Sequence, residues 1–589
     1  MKIIQKKPLL FVFALFLIIM ITMSLNAAGS KSKPMGDAKA IRGGQLTLHT
    51  SEFPKSFNYF VNTSTDANLV FSLIYDTLLE VHPVTLEFQP LIAKSWVISP
   101  DKKEFTFTID PRAKWSDGKP ITTDDIKFTY DTIMNPKNLT SVQRMALVRF
   151  NPPVIIDRNT IKFTAKTVHY NNLVTLAGFN VLPKHLFSGK DFNKAFNMKL
   201  PPGSGPYNLS EVKEGRYYVL KRNPNYYAKG FPNHRGMFNF ETIKYKIMDP
   251  NVAFEAFKKG DFDIYDEISS KRWVTETNTT PFRKNWIVKQ KIYNYAPQGF
   301  SGLAFNMRKP LFQDIRIREA ISHLLDRKYL IEKIMYNQYQ PLTSYWPSLY
   351  GTNKANDPIA YDPAKAKRLL KEAGYDRLDK NGYLVNSRNE RLEFSVLYVG
   401  ESFEKHLTYF AETCKQAGVK VNLQLLSWAT LIKKMENYDY DTAAFAWSAT
   451  LFDDPEQLWH SKHIPEPGGS NITGYKNPAV DRLIDSMPPV FDAAKRVQIT
   501  KQIDRLIYRD YPYVLFWYPD YTKIFYKNIF GMPKTVFSKY GGGSSAASEA
   551  IAYWWYDPAK VKRYQEAMKK KQALPKEPEE VYYDKIANQ

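Results

Sequence analysis

The sequence predicts a mixed α/β protein, and three stretches carry that prediction. Phe105, Phe107 and Ile109 alternate with polar residues, the two-residue period of a half-buried strand. Thr122 and Asp125 have capping-box spacing, and Ile126, Tyr130 and Ile133 behind them fall on one helical face. Asp362 caps a third stretch, Pro363 opens its first turn and Gly374 stops it, so a helix is expected between them.

Other elements follow in chain order. Gly43-Gly44 leads into Gln45-Leu46-Thr47-Leu48-His49, an alternating strand. Asp117-Gly118 marks a turn. Gly203 and Gly205 allow the backbone to turn sharply, and two strands then flank the Glu214-Gly215 turn. Asp314 is a good N-cap for a helix carrying Ile317, Ile321, Leu324 and Leu325 on one side. Asn381-Gly382 suits the positive φ angles of a hairpin turn. Asn477-Pro478 repeats the cap-and-proline helix start.

Length and composition bound the rest. A chain of 589 residues predicts two or more domains with substantial cores. Aromatic residues make up 15%, a high share that suits core packing and ligand clefts alike. The formal charge is +23, spread along most of the chain, with a local cluster at Lys560, Lys562, Arg563 and Lys569 to Lys571. No nucleic-acid motif accompanies it, so a solvated basic surface is expected and no nucleic-acid partner. Cys414 is the single cysteine, so no internal disulfide forms and the core must supply the stability.

The start of the chain reads as a targeting segment. Lys2, Lys6 and Lys7 precede an apolar run from Leu9 to Leu25, and small residues follow at Ala27, Ala28 and Gly29. A cleaved secretory signal peptide over residues 1–27 is expected, with the mature N-terminus between Ala28 and Ser30. No cysteine stands near that junction to carry a lipid. Residues 28–42 read as a polar linker, and Pro575, Pro578 and mixed charges predict a flexible tail over 566–589.

Catalytic motifs are scarce. The chain has no G-x-S-x-G, H-E-x-x-H or phosphate-cradling loop. His460 and His463 have H-x-x-H spacing, a weak metal signal in a Ser/Lys/Pro-rich loop. No enzyme activity, metal or cofactor is expected.

Several motifs occur together in one order. They are Tyr75-Asp76-Thr77-Leu78, Trp115-Ser116-Asp117-Gly118-Lys119-Pro120 with Thr123-Asp124-Asp125, Gly203-Ser204-Gly205-Pro206-Tyr207, Arg222-Asn223-Pro224-Asn225-Tyr226-Tyr227 and Asn306-Met307-Arg308-Lys309-Pro310. This series resembles the family 5 extracellular solute-binding proteins, the peptide- and nickel-type receptors of ABC importers. Asn306 to Asp314, Tyr339 to Pro347 and Phe445 to Ser448 are similar to the YejA-type microcin-C and oligopeptide receptors.

The resemblance implies an α/β, two-lobe periplasmic-binding-protein fold of type II, with an inserted subdomain and a discontinuous first lobe. Lobe I would use residues 43–80, 203–298 and 531–565, the insert 81–202, and lobe II 299–530. Hinge strands would lie near 299–306 and 526–530. It implies a monomeric periplasmic receptor for peptides or peptide-like solutes, working with an inner-membrane permease and its ATPase. The rivals are a non-peptide solute on the same fold (a sugar, a metal chelate or a haem-type ligand) and a basic envelope-polymer-binding protein or enzyme.

The resemblance also implies site residues. In peptide-binding members two tryptophans flank the cleft, and an Asp three residues after the second holds the peptide's α-ammonium group. Trp428 and Trp447 match those tryptophans, but Thr450 stands at the Asp position. An uncharged Thr450 cannot replace a buried ion pair. The nearest carboxylates are Asp453 and Asp454. Trp517, near the expected return hinge, is the further candidate.

Overall fold

A computed structural model of the protein describes residues 34–62, 64–350, 356–466, 468–542 and 546–587. The expected signal peptide and its cleavage point lie outside the described residues. The local signals form as the residues dictate. Asp125 accepts the Thr122 backbone N–H at 2.9 Å and closes the capping box of the helix Thr123–Met134. Asp362 accepts the Lys365 N–H at 2.8 Å ahead of the helix Pro363–Glu372.

The protein has two lobes, and the first is assembled from separate parts of the chain. One of its sheets orders the strands Gln45–Thr50, Thr242–Ile247, Tyr217–Arg222 and Tyr207–Lys213. The first pair is parallel and the others antiparallel. A second sheet orders Ile264–Asp266, Thr522–Lys527, Ile287–Tyr293 and Glu580–Tyr582. The inserted segment has its own antiparallel sheet, Ala93–Ile98, Glu104–Ile109, Thr160–Thr164 and Val154–Ile155. One core runs from Leu46 through the insert to Phe530 and Val581, so insert and first lobe are packed as one mass.

The second lobe is built on one sheet, in the order Lys420–Leu425, Glu393–Tyr398, Thr442–Trp447, Phe300–Phe305 and Tyr513–Leu515. Its central strands are buried on both faces. Leu303 and Phe305 pack into one core, while Phe300 and Ala304 pack into the other. Val514 and Leu515 divide the same way. Two-sided burial explains the apolar run at Phe300–Phe305, which alternation alone does not identify as a strand.

Four boundary expectations are corrected. The strand Phe300–Phe305 lies wholly inside the second lobe's sheet, so the outgoing crossing falls between Tyr293 and Phe300 rather than along 299–306. The strand Thr522–Lys527 already pairs with two first-lobe strands, so the chain returns between Tyr518 and Thr522, not at 526–530. Backbone pairing decides both, and it leaves no mark on composition. The stretch before Gly43 also packs, since the Met35 N–H donates to the Asn233 carbonyl at 2.9 Å.

The tail is the fourth correction. Residues 566–569, expected to be flexible, are the last turn of the helix Pro558–Lys569, and farther on the tail forms the strand Glu580–Tyr582, parallel to Ile287–Tyr293. Trp286 Nε1 donates to the Gln572 carbonyl and Gln290 Nε2 to the Pro578 carbonyl, both at 2.8 Å. Pro575 and Pro578 therefore sit in a strap whose carbonyls are used, where charge and proline content predict only disorder. Val581 is 2% exposed within the first-lobe core. Val581→Asp is expected to cost about 3–5 kcal/mol by burying an unpaired charge. Chemical denaturation measures this, and an unchanged midpoint would show the strap to be dispensable.

Candidate functional site

The strand Thr442–Trp447 places the site. It runs antiparallel to Phe300–Phe305 with Phe300 opposite Trp447, and its end delivers the loop 448–455. A Cβ on Gly299 would lie 1.8 Å from the Trp447 carbonyl oxygen, so only glycine lets the chain enter the lobe beside this ring. Phe445 and Trp447, two residues apart, share one face of the strand. The two rings meet edge to face at 5.1 Å. Trp428, first residue of the helix Trp428–Glu436, stacks on Phe445 at 5.8 Å and 11°. Ser427 caps that helix by accepting the Thr430 N–H.

The result is an aromatic shelf, and Trp428 at its outer end is 58% exposed. A large ring held in place by stacking yet open to water offers contact area at little entropic cost. Trp447 is half-buried, and its Nε1 donates to the Tyr513 hydroxyl at 3.0 Å, which fixes the ring.

Beside Trp447 lies a cavity of about 40 Å³, lined by Phe300, Tyr345, Trp346, Leu458, Trp459 and both Asp453 and Asp454. That is room for a small polar group or a few waters. Asp504, buried on the helix Ala493–Asp510, accepts the Tyr345 N–H and the Tyr350 hydroxyl, each at 2.8 Å, and so anchors the turn carrying Trp346.

The two carboxylates differ in their engagements. Asp453 accepts the indole N–H of Trp346 while the residue keeps contact with solvent. Crowding by surrounding protein pushes its carboxyl above the ordinary range, against the hydrogen bond from Trp346. Asp454 faces His169 Nε2 of the inserted segment at 3.4 Å and accepts the Glu456 N–H at 3.1 Å. Burial pulls its carboxyl up, but these bonds and the charges of His169 and Arg149 outweigh it and hold it low.

Of the six expected site residues, Trp447, Asp453 and Asp454 meet at one cavity, and Trp428 joins Trp447 through Phe445. Thr450 lies exposed on the loop and does not line the cavity. Trp517 stands apart. Its ring packs with Phe403 at 6.0 Å, His406 at 5.4 Å and Phe516 at 5.2 Å. Sequence reasoning missed Phe445 and Trp346 as wall residues, although both lie in stretches quoted above. His169 and Tyr170 carried no signal, because their partners lie more than 280 residues away.

The histidine pair does not form one centre. His460 faces Asp481 and Asp485, while His463 faces Glu456 and Glu466. His169, Asp454 and Glu456 offer ligand atoms within 4.8 Å of one another, spacing that would suit a cation. All three already have protein partners, with Glu456 2.7 Å from Lys462 Nζ. Among the described residues no helix is long and apolar enough to cross a membrane.

Residues 87–466 match the bacterial extracellular solute-binding proteins, family 5, and the chain belongs to that family. It is 28% identical over 572 residues to the uncharacterized protein YejA of Escherichia coli, covering 90% of this chain and 91% of the relative. It is 26% identical over 567 residues to a probable peptide-binding protein YejA of Agrobacterium fabrum, covering 88% and 90%. Its fold is similar to the oligopeptide-binding protein AppA from Bacillus subtilis in complex with a nonapeptide, with a TM-score of 0.72 and 22% identity over 88% of this chain and 100% of the other.

The shelf depends on Gly299. Gly299→Ala is expected to displace the Trp447 backbone and lower stability by about 1–3 kcal/mol, the usual range for overpacking. Thermal denaturation and tryptophan fluorescence test it, and a wild-type melting curve with unaltered emission would refute the close approach.

Proposed function

We propose that the protein is the periplasmic substrate-binding component of an ABC importer. It captures oligopeptides or peptide-like solutes between its lobes and delivers them to an inner-membrane permease with its ATPase. The observation that carries this reading is the half-open shelf Trp428–Phe445–Trp447 beside a small cavity that holds the Asp453 carboxylate. The family of the chain and the names borne by its relatives support the ligand class.

The shelf offers contact area to varied side chains, and ordered waters adapt the polar contacts, which suits broad specificity. Between the Tyr293 and Phe300 strand ends, and again between Tyr518 and Thr522, the chain passes from one lobe to the other. Those two crossings are where rotation is absorbed when the lobes close on ligand. Closure predicts a smaller radius of gyration with ligand and a melting temperature that rises with ligand concentration. Small-angle scattering that stays unchanged under saturating peptide would reject the closing mechanism.

Ammonium recognition falls to Asp453 rather than Asp454, because Asp454 is tied to His169. Asp453→Asn is expected to weaken binding of a free-amine peptide by about 2–5 kcal/mol, as for truncating one partner of a buried charge pair. Blocking the peptide's amino group is expected to cost wild type a similar amount, with no additive loss in the variant. Trp447→Ala removes contact area and weakens both peptides alike. Isothermal calorimetry decides. Full sensitivity to blocking in Asp453→Asn would move the ammonium site elsewhere, and indifference in wild type would mark Thr450 as the sign of a non-peptide solute.

A further inference from the structure

We propose that His169, Tyr170 and Asn171 form a clasp by which the inserted subdomain grips the ligand-side loop of the second lobe. They are positioning residues for the site beside that loop. The inference rests on the two-lobe closing mechanism above but not on the identity of the solute.

Tyr170 is a ring out of place. It is 9% exposed and packs in a second-lobe core whose other buried members all lie between Phe300 and Leu515. The Arg496 guanidinium sits 4.4 Å from its ring centroid, on the helix Ala493–Asp510. Its backbone N–H donates to the Pro488 carbonyl at 2.9 Å, and its hydroxyl to the Asp453 carbonyl at 3.2 Å.

The neighbours of Tyr170 extend the grip. Asn171 Nδ2 donates to the Phe452 carbonyl at 3.3 Å. His169 Nδ1 accepts the Asn171 N–H at 3.0 Å, and its Nε2 faces Asp454 Oδ2 at 3.4 Å. Three consecutive insert residues thus hold three consecutive loop residues, 452 to 454. Phe88, also within residues 81–202, adds a further contact, stacked on Phe452 at 6.1 Å and 13°.

This geometry has a mechanical meaning. The loop follows Trp447 and carries Asp453 into the cavity. Moving the insert away would draw the Tyr170 phenol into water and leave the 452 and 453 carbonyls to solvent. Contacts formed only when the lobes meet stabilise that arrangement with or without solute. The clasp therefore biases the empty receptor toward closure and sets the register of the loop against incoming ligand.

The test uses the full mature chain without ligand, after dialysis from denaturant strips bound solute. Spin labels go on Lys137→Cys in the insert and Lys495→Cys in the second lobe, both at exposed positions. The native Cys414 is fully buried and does not compete for label. Electron–electron resonance is expected to give a dominant short distance in wild type. Tyr170→Ala is expected to reduce that population at least about twofold, and Tyr170→Phe, which keeps the ring, to restore most of it. If Tyr170→Ala does not fold, His169→Gln with Asn171→Ala removes the two side-chain ties, keeps the phenol and is read the same way. A folded Tyr170→Ala protein, or a folded His169→Gln with Asn171→Ala protein, whose distance distribution is unchanged overturns the clasp, as does a wild type lacking the short distance. Neither outcome bears on what the cleft binds.

Discussion

Backbone pairing between Phe300–Phe305 and Thr442–Trp447 holds the candidate site together, because one register sets both the core and the aromatic shelf. With Phe300 opposite Trp447, Leu303 and Phe305 enter one core, and Phe300 and Ala304 the other. A shift of one residue would turn each of these side chains to the opposite layer. The same register brings Gly299 against the Trp447 carbonyl and leaves Phe445 and Trp447 on one face for Trp428 to extend. The aromatic shelf is thus a by-product of the strand order, held by a sheet buried on both sides.

The polar groups around the shelf are arranged to keep rings still. Asp504 ties down the Tyr345–Trp346 turn, Tyr513 holds the Trp447 indole, and Asp453 holds the Trp346 indole. Each buried donor is satisfied where an unsatisfied one would be costly. Asp453 and Asp454 illustrate how adjacent residues diverge. Crowding raises the carboxyl of Asp453, while His169 and a backbone N–H keep that of Asp454 low. One is left reachable for a cationic group, and the other joins the lobes.

The first lobe depends on its end more than its composition implies. The strand Glu580–Tyr582 completes the sheet to which the chain returns at Thr522–Lys527. It covers an edge that would otherwise be open. Lys291 lies within that pairing, and its N–H donates to the Glu579 carbonyl at 2.7 Å. A strap of prolines and charges is therefore part of the sheet that receives the returning chain.

The sequence by itself determined the local pieces and the class. The capping box at Thr122 and Asp125, the helix opened by Asp362 and Pro363, and the ordered motifs from Tyr75 to Pro310 were legible, because caps, turns and alternation are short-range effects. Trp428 and Trp447 were singled out through resemblance, and the structure packs both rings on Phe445. What the tertiary structure decided was everything that pairs distant segments. The crossings moved by several residues, because strand membership is fixed by partners and not by composition. Thr450 and Trp517 separated from the other candidates, and Phe445 and Trp346 joined them. Asp454, which also lines the cavity, gained a partner in His169 of the insert, which stands 285 positions away with no local pattern to link them.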